Sequence, residues 1–427
     1  MRILHSSDWH VGRTIRGRSR EAEHAAVLAE MLDVVEDEAV DLVLVAGDQF
    51  DSSAPPATAE RLVWRTILGF ADRGAAVVVV AGNHDHAARL DALAPVLGRR
   101  GDIVVGAHVR PAGSGGLVRV ATRGGEAQVA LVPFQSQRGI VKTADLLDRD
   151  AAQHAQAYAE RVEVIVEALT RGFGSGDCVD LVLAHLTVLA GGTVADRLGG
   201  GERLSQIFDY VVPAQAFPAN AHYVALGHLH QPHDVPGPAP VRYSGSPLHL
   251  DFGEVASDRG VTIVDAEPGT PAQVRHRPLR AGFRLLTLRG GLDEVVAAGR
   301  ELDDRTYVRA VLDEAPRPGL ADEVRAAVPQ VVDVRLAERE TADAAEPLEA
   351  DEAAAADPAE LFATFLDARG IDDRRLTELF RRLLDDVEAA GSEGEAETDP
   401  VLAPETDGEP PSAAEIAPEP VATGEEA

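Results

Sequence analysis

The sequence predicts an α/β layered fold, because strand-like and helix-like stretches alternate along the chain. Apolar strand-like runs begin at Met1, Val40, Ala75, Val179 and His222. They are almost continuous in aliphatic residues, which is typical of strands covered on both faces. Residues 19–40 show helical spacing of apolar positions after a plausible cap at Ser19, and residues 58–72 form a second helical stretch.

Length and composition limit the possibilities further. A chain of 427 residues is expected to form two or three domains of about 100–200 residues each. No apolar run reaches the ~18–20 residues of a membrane span, and the opening "MRILHSSDWH" has no signal-peptide core. The single cysteine, Cys178, excludes an internal disulfide and a cysteine-based metal cage. We therefore expect a soluble, cytoplasmic protein.

The negative charge of the chain is concentrated near its end. The net charge is −31, and residues 341–427 contain 25 acidic and five basic residues. The other 340 residues carry 46 acidic and 35 basic side chains and are only mildly acidic. Net charge therefore does not exclude a nucleic-acid partner for the body of the protein.

The second part of the chain divides into shorter units. Residues 283–338 show a strand–helix–strand–helix–strand pattern without histidine, which indicates an accessory domain. An acidic linker, two amphipathic helices and a Glu-, Pro- and Ala-rich tail follow, and we expect the tail to be disordered. The predicted division is 1–280, 281–340, 341–356, 357–390 and 391–427.

Polar side chains follow five of the strand-like runs. The clusters are Asp8 and His10; Asp48 and Asp51; Asn83, His84 and Asp85; His185; and His228 and His230. Ligands of α/β sheets bind at the carboxyl ends of strands, so parallel neighbouring strands would bring these clusters to one rim. A spacing of two places both side chains of a pair on the same side of extended chain, where they can chelate.

Each cluster alone is more often a turn or a surface pair than a metal site. Five of the 14 histidines nevertheless lie in these clusters, directly after apolar strands. Random placement would seldom produce this arrangement, and we interpret the clusters jointly as one metal site. Oxygen and imidazole ligands without thiolate favour Mn²⁺, iron or similar ions over a structural zinc cage.

The ordered motifs resemble those of a known family. Asp-x-His, Gly-Asp-x-x-Asp, Gly-Asn-His-Asp, a strand-end His and Gly-His-x-His are together similar to the motifs of calcineurin-like metallophosphoesterases. Within that family, "MRILHSSDWHVGR", "SREAEH" and "VAGDQFDSSAPP" resemble the SbcD nuclease subunits. The resemblance covers about residues 1–390. It implies a β-sandwich flanked by helices, a small α+β capping domain and C-terminal helices.

The resemblance also implies two metal ions, most readily Mn²⁺. The first would be bound by Asp8, His10, Asp48 and His230, and the second by Asp48, Asn83, His185 and His228. Asp48 is the shared residue, since only a carboxylate among these side chains readily spans two cations. Two such metals, ~3.5–4 Å apart, generate the nucleophile and stabilise an in-line displacement.

Roles for the neighbouring residues follow from the same resemblance and from their positions. His84 is the expected catalytic residue, which stabilises the transition state or protonates the leaving oxygen. Asp85 is expected to cap the following helix or to support a ligand. Asp51 is expected on the substrate side or in a supporting position. Trp9 is expected to pack in the core.

The segment after the first ligand pair is rich in arginine: Arg13, Arg16, Arg18 and Arg20. This density fits contacts to a nucleic-acid backbone. It equally fits a solvated loop that enters a helix, and the sequence does not decide between the two.

The resemblance implies a DNA exonuclease and endonuclease that cleaves ends and hairpins in DNA repair, replication and recombination. The expected partners are DNA and an SbcC-type ATPase, with a homodimer of this subunit inside a heterotetramer. Residues 357–390 would dock on the ATPase through apolar positions at helical spacing: Leu361, Phe362, Phe365, Leu366, Leu376, Leu379, Phe380, Leu383 and Leu384. Alternatively, these two helices pack on their own chain.

Two other functions stay open at this point. One is a metallophosphoesterase for small phosphodiesters or phosphoproteins, and a capping domain and a tethered helix pair count against it. The other is a non-catalytic scaffold of the same fold, and the intact set of ligand positions counts against that.

Overall fold

The structure is a computed structural model that describes residues 1–136, 151–189, 211–337, 362, 366 and 375–382. Residues up to Ala337 form one compact unit, and those beyond it form a second. Among the described residues, none of the helices combines the length and the apolar composition that crossing a membrane requires.

The first unit contains strands and helices in alternation along most of its length. In chain order they are β1 (Arg2–Ser6), β2 (Thr14–Ile15), β3 (Arg18–Ser19), α1 (Glu21–Asp37), β4 (Leu42–Ala46), α2 (Ala57–Asp72), β5 (Ala76–Val80), α3 (Ala87–Leu97), β6 (Ile103–Gly106), β7 (Leu117–Thr122), β8 (Gly125–Val132), α4 (Ala151–Thr170), β9 (Val179–His185), β10 (Thr187–Leu189), β11 (Val211–Pro213), β12 (Tyr223–Gly227), β13 (His233–Val235), β14 (Val241–Tyr243), β15 (Gly260–Glu267), β16 (Thr270–Pro278), β17 (Arg284–Gly290), α5 (Leu292–Arg300), β18 (Thr306–Leu312), α6 (Leu320–Ala327) and β19 (Val331–Leu336).

Two six-stranded sheets form the centre of the unit. The first has the order β16-β15-β1-β4-β5-β6, in which β1, β4, β5 and β6 are parallel. The second has the order β13-β14-β12-β9-β8-β7, in which β14, β12, β9 and β8 are parallel. All five predicted strands are confirmed, as β1, β4, β5, β9 and β12.

The sheets pack face to face. Leu44, Val78 and Val80 of the first sheet meet Leu181 and Leu183 of the second in a shared core. Helices cover both outer faces, which gives a helix–sheet–sheet–helix sandwich. The predicted α/β sandwich flanked by helices is confirmed, and the continuous valine runs are explained by burial on both faces.

Helix α1 packs its buried residues, among them Leu28, Met31 and Val35, against the outer face of the first sheet. The predicted cap at Ser19 is wrong. Arg20 occupies the N-cap position without a side-chain cap, and the Ser19 hydroxyl accepts a 3.3 Å hydrogen bond from Glu21 N instead.

Residues 283–337 form a small sheet unit with the predicted pattern. Its three parallel strands have the order β17-β18-β19, and α5 and α6 pack on them around Val295, Val308 and Val324. It belongs to the same compact unit as the two large sheets. The boundary at residues 280/281 stays a prediction.

In the second unit, Phe362, Leu366 and residues 375–382 are helical, in line with the helices predicted there. The predicted linker at 341–356 and the tail at 391–427 lie outside the described residues.

Candidate metal centre

The carboxyl ends of β1, β4, β5, β9 and β12 carry the predicted ligands, and these ends meet at one edge of the sandwich. Their backbone is unusual. Four predicted ligands have positive φ: Asp8 at 54°, His10 at 46°, Asp48 at 53° and His228 at 107°. Such conformations cost about 1–3 kcal/mol each in non-glycine residues and occur mainly where surrounding structure imposes them, often at functional sites.

Two glycines allow the loops to approach. A Cβ at Gly82 would lie 2.1 Å from Asp48 Oδ1, and one at Gly47, where φ is 90°, would lie 2.2 Å from His185 Nδ1. Any larger residue would therefore displace a predicted ligand. Glycine at these strand ends is required by close contact and, at Gly47, also by backbone conformation.

The first predicted ligand set is brought together. Single ligand atoms of Asp8, His10 and His230 all lie within 4.8 Å of one another. His10 Nε2 is 3.2 Å from His230 Nε2 and 3.6 Å from Asp48 Oδ2.

The second predicted set also converges. Asn83 Oδ1 lies 2.9 Å from His185 Nε2 and 2.9 Å from His228 Nδ1. His185 Nε2 is 3.6 Å from Asp48 Oδ2. The loops after β5, β9 and β12 therefore supply one cluster.

Asp48 lies between the two clusters. Its Oδ2 atom is 3.6 Å from a nitrogen of His10 on one side and 3.6 Å from a nitrogen of His185 on the other. Its Oδ1 atom accepts a 2.9 Å hydrogen bond from the backbone N–H of His84. The carboxylate is thus oriented by the chain so that one oxygen faces both sets.

The hydrogen bonds around these residues fit bound cations. His185 Nδ1 is 2.8 Å from the carbonyl oxygen of Ala46, which can only accept, so Nδ1 carries the proton. His185 Nε2 then presents a lone pair to Asn83 Oδ1, another acceptor, at 2.9 Å. Two acceptors at this distance repel unless a cation lies against both. Metal-binding histidines commonly donate their second N–H in this way.

In the first cluster, too, a histidine donates its Nδ1 proton to an acceptor outside the ligand set. His230 Nδ1 is 2.9 Å from Glu254 Oε1, so it donates to that carboxylate and turns the lone pair of Nε2 toward His10. Glu254 is 2% exposed. Burial is also the main reason why the pKa values of His10 and His185 lie well below the ordinary value, with neighbouring histidines adding to the shift. Both imidazoles are therefore neutral at pH 7, the form that binds metals.

Comparison with known proteins assigns this centre to a family. The family model for calcineurin-like phosphoesterases matches residues 1–232. The SbcD subunit of the SbcCD nuclease from Bacillus subtilis (strain 168) is 36% identical over 310 residues, which cover 69% of this chain and 74% of that protein. The chain belongs to the SbcD family of calcineurin-like phosphoesterases.

Two further SbcD relatives have similar coverage. The protein of the same name from Rhodobacter capsulatus is 37% identical over 317 residues, which cover 70% of this chain and 75% of the relative. That from Escherichia coli (strain K12) is 30% identical over 315 residues, which cover 70% of this chain and 73% of the relative.

His84 lies at the edge of this SbcD centre. Its Nδ1 is 2.8 Å from the carbonyl oxygen of Asp51, so Nδ1 donates and the ring orientation is fixed. The ring lies edge-on to that of His10, with 4.7 Å between the ring centres. A ligand atom of His84 also lies within 4.8 Å of His10 and Asp48. Proximity alone therefore does not separate a catalytic His84 from a metal ligand.

The helix-capping expectation for Asp85 is wrong. His86 is the N-cap of α3, and its side chain accepts from Arg89 N at 3.3 Å. The carboxylate of Asp85 instead accepts from Gly82 N at 2.8 Å and Phe50 N at 3.1 Å, which ties the loops after β4 and β5 together. Burial raises its pKa to about 6, although these backbone hydrogen bonds oppose the shift.

The arginine-rich segment of this SbcD chain is largely exposed and leads into α1, as the solvated-loop alternative requires, and contacts to a nucleic acid stay a prediction. Each arginine has a partner within the protein. Arg13 pairs with Asp51 at 3.2 Å, Arg18 donates to Pro329 O at 2.9 Å, and the buried Arg20 pairs with Glu23 at 2.9 Å. Arg16 lies 3.2 Å from Asp333 of the small sheet unit. Arg16 and Arg18 therefore contact the small sheet unit.

Two residues of the SbcD centre were missed from the sequence. Glu254 orients His230, and no spacing motif connects it to the histidine. Phe134 follows β8, and its ring centre lies 6.2 Å from that of His185 and 6.4 Å from that of His228. Trp9 packs as expected: it is 1% exposed and donates to Ser6 Oγ.

Proposed function

We propose that the chain is a metal-dependent DNA nuclease subunit that hydrolyses phosphodiester bonds by a two-metal mechanism. It would act with an SbcC-type ATPase in the cytoplasm, as an exonuclease on DNA ends and an endonuclease on hairpins, in DNA repair, replication and recombination. The observation that carries the proposal is Asp48 Oδ2, placed 3.6 Å from nitrogens of both His10 and His185. The names of the relatives, all nuclease subunits, support it.

We assign two divalent cations, with Mn²⁺ as the first choice. Asp8, His10, Asp48 and His230 would hold one, and Asp48, Asn83, His185 and His228 the other. The mixed oxygen and imidazole donors suit Mn²⁺ or iron. When bound, the pair supplies positive charge to attract a phosphodiester and lowers the pKa of the attacking water.

The chain's own residues would orient the reaction. The backbone carbonyl of Asp51 accepts a hydrogen bond from Nδ1 of His84. Nε2 is therefore the nitrogen that exchanges a proton with the leaving oxygen of the substrate. Glu254 and the carbonyl of Ala46 hold the ring orientations of His230 and His185. Asn83 contributes a neutral oxygen, which leaves more positive charge for the substrate.

The helix pair of the second unit is proposed as the ATPase-docking segment. The rings of Phe362 and Phe380 stack with centres 4.2 Å apart, so the two helices contact each other, as the own-chain alternative requires. Leu376 and Leu379 are 38% and 45% exposed. These leucines provide an apolar face for a partner, in a homodimer of this subunit joined by two ATPase subunits. Residues 281–340 are proposed to cap the site and restrict DNA access.

Cleavage assays test the proposal. Single-stranded and hairpin DNA would be incubated with Mn²⁺, with and without the ATPase partner, and a chromogenic phosphodiester would serve as the small-substrate control. We expect cleavage of both DNAs, with hairpin cleavage increased by the partner. Turnover of the small ester alone would favour a small-substrate phosphoesterase, and no turnover of any substrate would favour a scaffold.

A further inference from the structure

The small sheet unit, residues 283–337, packs on two loops of the part of the chain that contains the two six-stranded sheets. One is formed by residues 12–20, which begin just after the predicted ligand His10, and the other by residues 249–254. Ile15 of the first loop and Phe252 of the second are buried together with Leu285, Tyr307 and Val332 of the small unit. The contact is therefore an apolar one made from three separate pieces of chain.

A network of five charged residues lies beside this apolar contact, and in it Arg335 donates to Asp333 at 3.1 Å. Arg309 of β18 lies 3.2 Å from Asp251 and 3.0 Å from Asp333. Arg16 approaches the same two carboxylates, at 3.5 Å and 3.2 Å. The guanidinium of Arg309 also lies 4.4 Å from the ring centre of Phe252.

Each pair in the network joins opposite charges, and the side chains at its centre are partly shielded from water. The side chains of Arg309 and Asp333 are 14% and 15% exposed. Burial alone would raise the pKa of Asp333, but hydrogen bonds from Arg16 and Arg309 bring it below the ordinary value. Networks of this kind contribute more than isolated surface ion pairs.

The loop that carries Asp251 and Phe252 also contacts a predicted metal ligand, His230. Glu254 accepts from His230 Nδ1 through Oε1 at 2.9 Å, and from Leu250 N through Oε2 at 2.7 Å. The carboxylate that orients His230 is thus bonded to the residue directly before Asp251. Arg20, at the end of the other loop, donates to His249 O at 2.6 Å and links the two loops.

From these contacts we propose that docking of the small sheet unit through Arg16, Asp251, Arg309 and Asp333 is coupled to cation binding by the His10 and His230 cluster. The inference rests on the proposed metal centre. Undocking removes the partners of Asp251 and Phe252. Residues 250–254 then gain freedom, although Arg20 still bonds to His249, and Glu254 orients His230 less firmly. Coupling is reciprocal, so a cation bound at this cluster favours docking. The second cluster shares Asp48 and the loop after β12 with the first, but Asn83 and His185 lie on other loops, so the coupling acts mainly on the first cluster.

Mn²⁺ binding to the full chain tests the coupling. Arg309→Gln removes the central cation of the network, and Arg16→Gln weakens it from the other side of the contact. Arg317→Gln is the matched control, because Arg317 pairs with Glu323 within the small unit and lies outside the network. We expect both network variants to weaken one of two Mn²⁺ sites by about tenfold, with a smaller effect on the other site and no effect in the control.

Hydrogen exchange in β18 provides the second measurement. Saturating Mn²⁺ should slow exchange there in the wild-type chain and in Arg317→Gln, and should slow it less in Arg309→Gln. Unchanged Mn²⁺ affinities in both network variants, or unchanged exchange in β18, would overturn the coupling. A wild-type chain that binds no Mn²⁺ would contradict the proposed metal centre itself.

Discussion

His185 Nε2 and Asn83 Oδ1 lie 2.9 Å apart, although both atoms are acceptors. On the other side of the ring, Nδ1 of His185 donates its proton to the carbonyl oxygen of Ala46. The backbone therefore fixes this imidazole in the form that offers a lone pair to a metal, and the amide oxygen offers a second one beside it.

The first prediction concerns this pair. Asn83→Ala should lower the number of bound Mn²⁺ ions from two to one per chain, because His185 and His228 lose the oxygen between them. Asn220→Ala is the control, since Asn220 only donates to Phe173 O. Equilibrium binding of Mn²⁺ measures both variants, and two tight sites in Asn83→Ala would show that the amide is not a ligand.

The second prediction separates His84 from the ligands. His84→Ala should keep both Mn²⁺ ions but lower the turnover of DNA by about 10²–10⁴-fold, the usual contribution of a proton-transfer residue. His86→Gln, two residues away and exposed, is the control and should retain turnover. If metal content falls together with turnover in His84→Ala, His84 is a ligand and its assignment is wrong.

The third prediction concerns Glu254. Glu254→Gln keeps the size of the side chain but removes the charge that His230 Nδ1 contacts at 2.9 Å. Loss of such an outer partner weakens metal binding by about 10–100-fold, and we expect this at one of the two sites. The exposed Glu267→Gln is the control. Equal affinities in the wild-type and Glu254→Gln chains would mean that Glu254 does not support the ligand.

The fourth prediction is a pH dependence of stability. Burial, with the charge of Arg242 adding to it, lowers the pKa of His5 to about 3, against ~6.5 in an unfolded chain. Below pH 6.5 the unfolded chain therefore binds a proton that the folded chain does not. This contribution to stability is complete above pH 6.5 and is lost as the pH falls toward 3, by about 1.4 kcal/mol per pH unit.

Urea unfolding in EDTA at pH 7, 6 and 5 measures this effect. The free energy of unfolding of His5→Gln should fall less steeply with decreasing pH than that of the wild-type chain, by the slope of one histidine. The exposed His108→Gln is the control and should keep the wild-type slope. Identical slopes for His5→Gln and the wild-type chain would contradict a neutral, buried His5.

The strands and the ligand positions could be predicted because their signals are local. A valine run followed directly by Gly-Asn-His-Asp identifies a buried strand and the polar residues at its end, and parallel strands bring such ends together. What the sequence could not supply were contacts between distant segments. Asp85 binds Phe50 N rather than capping α3, and Glu254 reaches His230 across 24 residues without a spacing pattern.

The arginine-rich segment shows the same limit. A run of cations predicts an anionic partner but not which one. Asp251 and Asp333, which pair with Arg16, lie more than 230 residues away along the chain. Only the folded arrangement of the small sheet unit shows that Arg16 pairs with these carboxylates of the protein itself.

The central claim is that Asp48 serves both cations, and the number of Mn²⁺ ions bound by Asp48→Ala tests it most directly. The wild-type chain should bind two ions. We predict that Asp48→Ala binds none tightly, because each cluster loses the carboxylate oxygen 3.6 Å from its histidine. One or two tightly bound ions in Asp48→Ala, with cleavage close to that of the wild-type chain, would contradict it.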